Sequence, residues 1–188
     1  MTNFKVLGSV LFFLLSFSID DTSAQSEKST YFGFKGGLNH SDIVGVNNFN
    51  EYTGYLGYEL YAAFFADTKI NDRWHFQNEL LFSWTDEYHF IEVPLHIKYK
   101  VFEKWFLFVG PKLDFLLDNS NDGGYFEAYY RFQNFGVSVD TGIQYYFGSR
   151  FLAEGRFSRG FSPHVNDLLL DIYEGKRNTY RLGLGVIF

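Results

Sequence analysis

The sequence predicts an all-β fold, an eight-stranded antiparallel up-and-down transmembrane β-barrel, and three observations carry that expectation. Aromatic residues make up 22% of the 188 (24 Phe, 14 Tyr and 3 Trp), yet the mean hydropathy is only -0.14, so the apolar residues must be dispersed rather than grouped. From Thr30 onward the pattern has period two, in runs of nine to fourteen residues between turn-formers. A tilted spanning strand needs about 9–11 residues, so every run is long enough. Finally, glycine gathers on the charged side of those runs, which identifies the concave side.

The elements follow in chain order. Lys5 precedes the apolar run 6–19, and Thr22-Ser23-Ala24 places small residues where a signal peptidase reads. Residues 1–24 are therefore expected to be a cleaved signal peptide and 25–188 an outer-membrane β-barrel domain. Strands are expected over 31–39, 54–66, 73–84, 91–100, 105–117, 134–147, 150–161 and 179–188. Longer connections at 40–53, 118–133 and 162–178 broadly alternate with short ones, as outer loops alternate with periplasmic turns in such barrels.

Each strand divides into two faces. One is apolar, with Phe32, Phe34 and Leu38 on the first strand and Trp74, Phe82 and Trp84 on the third, and its only charge is Arg159. The other carries Glu59, Glu79, Glu92, Asp114, Asp140 and Glu154 against Lys35, Arg73, Lys98, Lys100, Lys112, Arg150, Arg156 and Arg181. A soluble ligand carrier would show the same period with its faces exchanged. Gly33, Gly37, Gly57, Gly110, Gly136, Gly142, Gly160, Gly183 and Gly185 settle the direction, because they lie on the charged face and small residues belong inside a narrow barrel. The aromatics then face outward, which lipid alone permits. Trp74, Trp84, Tyr99, Trp105, Tyr145 and Tyr180 are the expected aromatic girdle. Trp74 and Trp84 are ten residues apart on one face, about 25 Å along the membrane normal.

The closing strand puts Tyr180, Leu182, Leu184, Val186 and Phe188 at every second position and ends on Phe. That pattern resembles the signal outer-membrane barrels present to their assembly machinery, and it fits a strand with nothing beyond it.

Several stretches resemble one family in order. Phe32-Gly33-Phe34-Lys35-Gly36-Gly37-Leu38-Asn39 is similar to the opening strand of the Bacteroidota outer-membrane β-barrel domain, the PorT-like group of OmpA-like eight-stranded barrels. Glu79-Leu80-Leu81-Phe82-Ser83 resembles its third strand, and Ile91-Glu92-Val93-Pro94-Leu95-His96-Ile97-Lys98-Tyr99 its Glu-x-Pro-Leu stretch followed by Lys-Tyr. Gly110-Pro111, Phe135-Gly136 and Glu154-Gly155-Arg156-Phe157 follow in the expected order. His96 and the Asp140-Thr141 pair depart from the apolar or small residues of the pattern. The resemblance implies the barrel and implies no activity.

The inward charges are the strongest functional candidates: Lys35, Glu59, Glu79, Glu92, Lys98, Lys112, Asp114, Asp140, Glu154, Arg156 and Arg181. Charges in a narrow lumen must be paired or hydrated. A cross-barrel network is expected, with Glu79 and Glu92 near Lys98, and Glu154 near Arg156 and Arg181. Eight strands leave an interior that side chains just fill, so a polar plug is preferred to a gated ion path. Pro94 inside a strand removes a ladder donor and is read as a bulge or local distortion.

Other chemistry finds less support. Zero Cys excludes disulfides, thiolate metal sites and a Cys nucleophile, and a formal charge of -6 with pI near 5.3 gives no basis for nucleic-acid binding. Asp118-Asn119-Ser120-Asn121-Asp122-Gly123 matches the front of a calcium loop, but Tyr129 stands where the bidentate Glu belongs, so a turn-rich loop is the better reading. Ser83, His89, Asp86 and Glu87 are close in sequence, yet no G-x-S-x-G or H-E-x-x-H accompanies them. The expected protein is a monomer of the cell outer membrane, without catalysis or cofactor. Its partners are membrane lipid, the assembly machinery and a protein or glycan at the outer loops, and its job is structural or that of an interaction scaffold. A small gated pore is the alternative, and a lipid-modifying enzyme a more distant one.

Overall fold

The computed structural model describes residues 29–84, 89–117, 135–163, 165–167 and 172–188. Among them the chain forms nine strands: β1 (Thr30–Val46), β2 (Tyr52–Lys69), β3 (Trp74–Trp84), β4 (His89–Phe102), β5 (Trp105–Leu117), β6 (Phe135–Phe147), β7 (Phe151–Gly160), β8 (Val165–Asp167) and β9 (Ile172–Ile187). Each long strand pairs antiparallel with its neighbours, β7 pairs with β9, and β1 pairs with β9 to close the ring. The result is a closed eight-stranded antiparallel barrel. The three-residue β8 lies outside the ring and pairs with the start of β9.

Closure leaves no open edge, which satisfies the backbone where lipid offers no partners. A walk from Trp84 through successive partners Leu60, Leu38, Leu182, Gly155, Ile143, Leu107 and Tyr99 returns to β3 at Trp74, ten residues from its start. Eight strands with that stagger tilt about 40° from the barrel axis. The offset places Trp74, Tyr99, Trp105 and Tyr145 within about 5 Å of one axial level, at the end where β1 begins and β9 finishes. Trp84, Tyr58 and Tyr180 lie near a second level about 25 Å away. Trp74 packs on Tyr99 and Trp105 on Tyr145, with ring centroids 4.8 and 4.6 Å apart.

Alternation produces the two surfaces. Outward-facing Tyr58 is 82% exposed and Leu182 71%, whereas inward-facing Lys98, Glu92 and His96 are 0% exposed. Ile91 and Val93 share the outer face by register and are nonetheless buried. Glycine gives the inner side its room: a Cβ at Gly183 would collide with the hydroxyl of Tyr61, and one at Gly37 with the Leu182 carbonyl. Turns are closed by side chains, as Asn71 Oδ1 accepts from the backbone N–H of Arg73 and of Trp74, both at 2.9 Å.

The strand boundaries differ from expectation at the loop end. β1 runs seven residues past 39, and β2 begins at Tyr52, so the expected long connection 40–53 reduces to residues 47–51, held by Asn47 Oδ1 accepting from Phe49 N and Glu51 N. β9 likewise begins at Ile172 rather than 179. Pro94 brings a local distortion rather than a bulge: the β4–β5 register is the same on both sides of it, while the pairings around Glu79–Leu80 and Leu95–His96 lapse. A Cβ at Gly110, opposite His96 by register, would meet the Leu95 carbonyl, so glycine absorbs the close approach there.

Candidate functional site

Period-two strands aim their polar residues into the lumen, and the described side chains meet there in three tiers. At the terminal end, Lys98 donates to Gln77 Oε1 at 2.8 Å and to the Tyr146 hydroxyl at 2.7 Å, and is hydrogen-bonded to Asp67. His75 Nδ1 lies 2.8 Å from Asp67 Oδ1, and the Lys98 ammonium sits 5.1 Å from the ring centroids of Phe106 and Tyr146.

The middle tier joins five strands, β1, β3, β4, β6 and β7. Lys35 bridges Glu79 and Glu154 at 2.6 and 2.5 Å. Arg156 reaches Glu79 at 2.8 Å, Glu154 at 2.7 Å and Asp140 at 3.2 Å. His96 Nε2 is 3.1 Å from Asp140 Oδ2, and its Nδ1 is 3.4 Å from Glu79 Oε1. Three carboxylates thus face two full cations and an imidazole. Gln77 and Gln144, which donate to Glu79 and Glu154 at 2.5 and 2.6 Å, tie this tier to the one below.

The third tier, toward the loops, is built around Glu92. That carboxylate accepts from Ser83 at 2.7 Å, Lys112 at 2.8 Å, Arg177 at 3.0 Å and Arg181 at 2.5 and 2.7 Å. Arg177 also reaches Glu59 at 2.5 Å, and Glu59 is bonded to Asn39. Lys112 lies 3.1 Å from Asp114, which accepts from Ser138 at 2.6 Å. Three carboxylates meet three cations here. Such pairing offsets the large cost of removing charge from water. In and beside this tier, Tyr61 Oη, Ser158 Oγ, Thr179 Oγ1 and Arg181 Nε and Nη1 have no hydrogen-bond partner among the described residues.

All eleven expected lumen residues are buried and contribute to this network. The expected partners are corrected in two places. Lys98 pairs with Asp67 rather than with Glu79 or Glu92, and Arg181 pairs with Glu92 rather than Glu154. Glu154 does meet Arg156. The barrel stagger is the reason, since residues close in sequence on adjacent strands lie at different heights. Arg73 and Arg150 are exposed in the connections 70–73 and 148–150, and Lys100 is half-buried near the end of β4, so these three stand outside the network. In the first of those connections Lys69 Nζ lies 2.7 Å from Asp72 Oδ1. That hydrogen bond, with the attraction of the same ammonium, holds the Asp72 carboxyl below its usual range.

Sequence reasoning missed Arg177, Asp67, Asn39, Ser41, Gln77 and Gln144 as members. Arg177 and Asp67 fell just beyond the expected strand ends, and the neutral polar residues drew no attention among the charges. Ser83 is buried in the lumen and bonded to Glu92, while His89 is paired opposite outward-facing Trp84, so the two lie on opposite faces. Residues 1–28, 85–88 and 118–134 lie outside the described residues. The signal-peptide reading, the Asp86 and Glu87 candidates and the calcium-like loop 118–123 fall there. Of the closing-strand residues, Tyr180, Leu182, Leu184, Val186 and Phe188 all face outward and are exposed, and Phe188 N donates to the Phe32 carbonyl at 3.0 Å.

Residues 87–166 match the sequence profile of a family described as an outer membrane protein beta-barrel domain. No protein of curated function matches the sequence. Several solved structures are similar, among them those of two bacterial proteins. Ail, the attachment invasion locus protein of Yersinia pestis, in complex with the heparin analogue sucrose octasulfate, has a TM-score of 0.53 at 12% identity, over 85% of this chain and 99% of that one. Neisserial surface protein A has 0.52 at 11% identity, over 85% and 99%. At that identity the likeness is one of fold. The family match and the exposed apolar belt around a closed barrel locate the protein in the outer membrane.

Proposed function

We propose that this outer-membrane β-barrel protein is a non-catalytic structural or interaction scaffold, with the outer membrane as its solvent and its loop end as its working surface. The observation that carries this reading is the lumen, where ion pairs on three levels fill the cross-section with side chains 0–5% exposed, the half-buried His75 ring aside. An eight-stranded barrel has just enough interior to be filled in this way. No passage is needed to explain the charges, because each level supplies counter-charges of its own. The start of β1 and the end of β9 lie on the same side of the barrel, in keeping with that side facing the periplasm and the loops facing outside. The PorT-like resemblance and the single closing-strand pattern fit insertion by the general assembly machinery after signal-peptide removal. A monomer suffices for this role, and a protein or glycan at the loops is the expected partner. Ail, of the same fold, was solved with a polysulfated sugar; this chain shares 12% identity with it, so a glycan partner stays a proposal.

The seam of unpartnered atoms at Tyr61, Ser158, Thr179 and Arg181 favours one alternative, a small gated pore. Proteoliposomes containing the refolded barrel separate the two. The scaffold reading predicts uptake of small sugars no faster than into protein-free vesicles. Uptake at a porin-like rate would overturn it.

A further inference from the structure

Two cations of the described residues stand on the outward face near the loop-side headgroup level, where the lumen network gives them no role. Arg159 on β7 and Lys176 on β9 are both exposed, and among the described residues neither side chain has a hydrogen bond or ion pair. Ser158 is paired with Thr179, which sets Arg159 level with Asn178, and Lys176 follows two residues along the same face. Diagonal neighbours of this kind have Cα atoms about 7–8 Å apart, so two long side chains can close on one anion. The stagger of the barrel puts Arg159 and Lys176 on either side of the axial level of Trp84 and Tyr58, where lipid headgroups begin.

Directly below lies an apolar strip. Tyr180, Leu182 and Leu184 are 55%, 71% and 65% exposed, and Phe157 packs on Tyr180 at 4.9 Å. On the far side of β9, His40 sits between Tyr58 and Tyr180, with ring centroids 4.8 and 6.4 Å away. Asp42, opposite Asn178, is the one acid of β1 on this patch and lies across β9 from Arg159. An unpaired cation at the edge of hydrocarbon is costly unless an anion meets it. Charge above and apolar surface below match a molecule with an anionic head and hydrocarbon tails.

We propose that the outer face of β7 and β9 binds a phosphorylated, multiply acylated glycolipid of the outer leaflet, with its phosphate between Arg159 and Lys176 and acyl chains along Tyr180, Leu182 and Leu184. This goes beyond the scaffold reading and rests on only one part of it, the outward placement of the loop end. The test needs no orientation and so fails or succeeds independently. Purified barrel in neutral detergent is titrated with lipid A bearing its phosphates and with the same lipid dephosphorylated, and retention is read by native mass spectrometry. The phosphorylated lipid should be held at least tenfold more strongly. The Arg159→Gln/Lys176→Gln double variant should lose that preference, and inorganic phosphate at millimolar concentration should not displace the lipid. Equal retention of the two lipids by the unaltered protein overturns the proposal, and this comparison stands even where the variant fails to fold. So does undiminished preference in a folded double variant. Displacement by sucrose octasulfate with an affinity matching the lipid's also overturns it, because the cations would then serve a soluble polyanion.

Discussion

His96 and Asp140 meet across β5 inside the barrel: the imidazole Nε2 donates to Asp140 Oδ2 at 3.1 Å, with both side chains fully buried. They are two of the positions at which the sequence departs from the pattern of the barrels it resembles, and the fold brings them together. The two satisfy one another, and Asp140 has a second partner in Arg156 at 3.2 Å. His96→Leu and Asp140→Leu should therefore each lower stability, and the double variant by less than their sum. A double-mutant cycle from urea unfolding in micelles should return a coupling of roughly 1–3 kcal/mol. Additive losses would show the contact to be incidental.

Arg177 bridges Glu59 and Glu92, at 2.5 and 3.0 Å, and is buried in the tier nearest the loops. Arg177→Met leaves both carboxylates short of a counter-charge. It should cost about 3–5 kcal/mol, the usual penalty for breaking a buried pair from one side. Arg159→Met, on the lipid face, should cost far less in the same unfolding experiment.

How far the sequence reveals this molecule depends on what each stretch touches. Where strands contact lipid on one side and the lumen on the other, hydropathy alternates, and the eight barrel strands and their facing could be read directly. Toward the loops the outer face turns polar, with His40, Asp42, Lys176 and Asn178 on it, while Ile43 sits inside, so the alternation of the lower strands vanishes. Residues 40–46 and Glu174–Asn178 then look like loops although they continue β1 and β9. Arg177 was lost from the candidate site for that reason. Within the spanning part of the strands the charged lumen residues were legible, from Lys35 to Arg181, but their partners were not. Pairing depends on a stagger that accumulates to ten residues around the ring, and it carries Lys98 to Asp67 on β2 rather than to Glu79 on its neighbour.

Gly183 gives Tyr61 its place in the lumen, since a Cβ there would meet the Tyr61 hydroxyl and lie 2.9 Å from its ring. Gly183→Ala should destabilise the barrel by roughly 1–3 kcal/mol through overpacking. Adding Tyr61→Phe should return part of that loss, because it removes the atom in closest conflict. No recovery in the double variant would place the strain elsewhere.

Phe188 ends the chain at the ring closure, 5.5 Å from Phe34. If the terminal residue acts as an assembly signal, its deletion should sharply reduce barrel reaching the outer membrane in cells. Refolding of the purified chain into micelles should change little. Equal loss in both settings would assign Phe188 to stability instead.

Lys98 anchors the tier at the terminal end, with Asp67, Gln77 and Tyr146 around it. Single-channel recording in planar bilayers of the unaltered barrel and of Lys98→Gln tests the closed lumen most directly. The account predicts no conductance above the bare bilayer for the unaltered protein, and for Lys98→Gln a loss of stability without channel opening. Discrete ion-selective openings by the unaltered barrel, or a rise in conductance on neutralising Lys98 with stability unchanged, would contradict it.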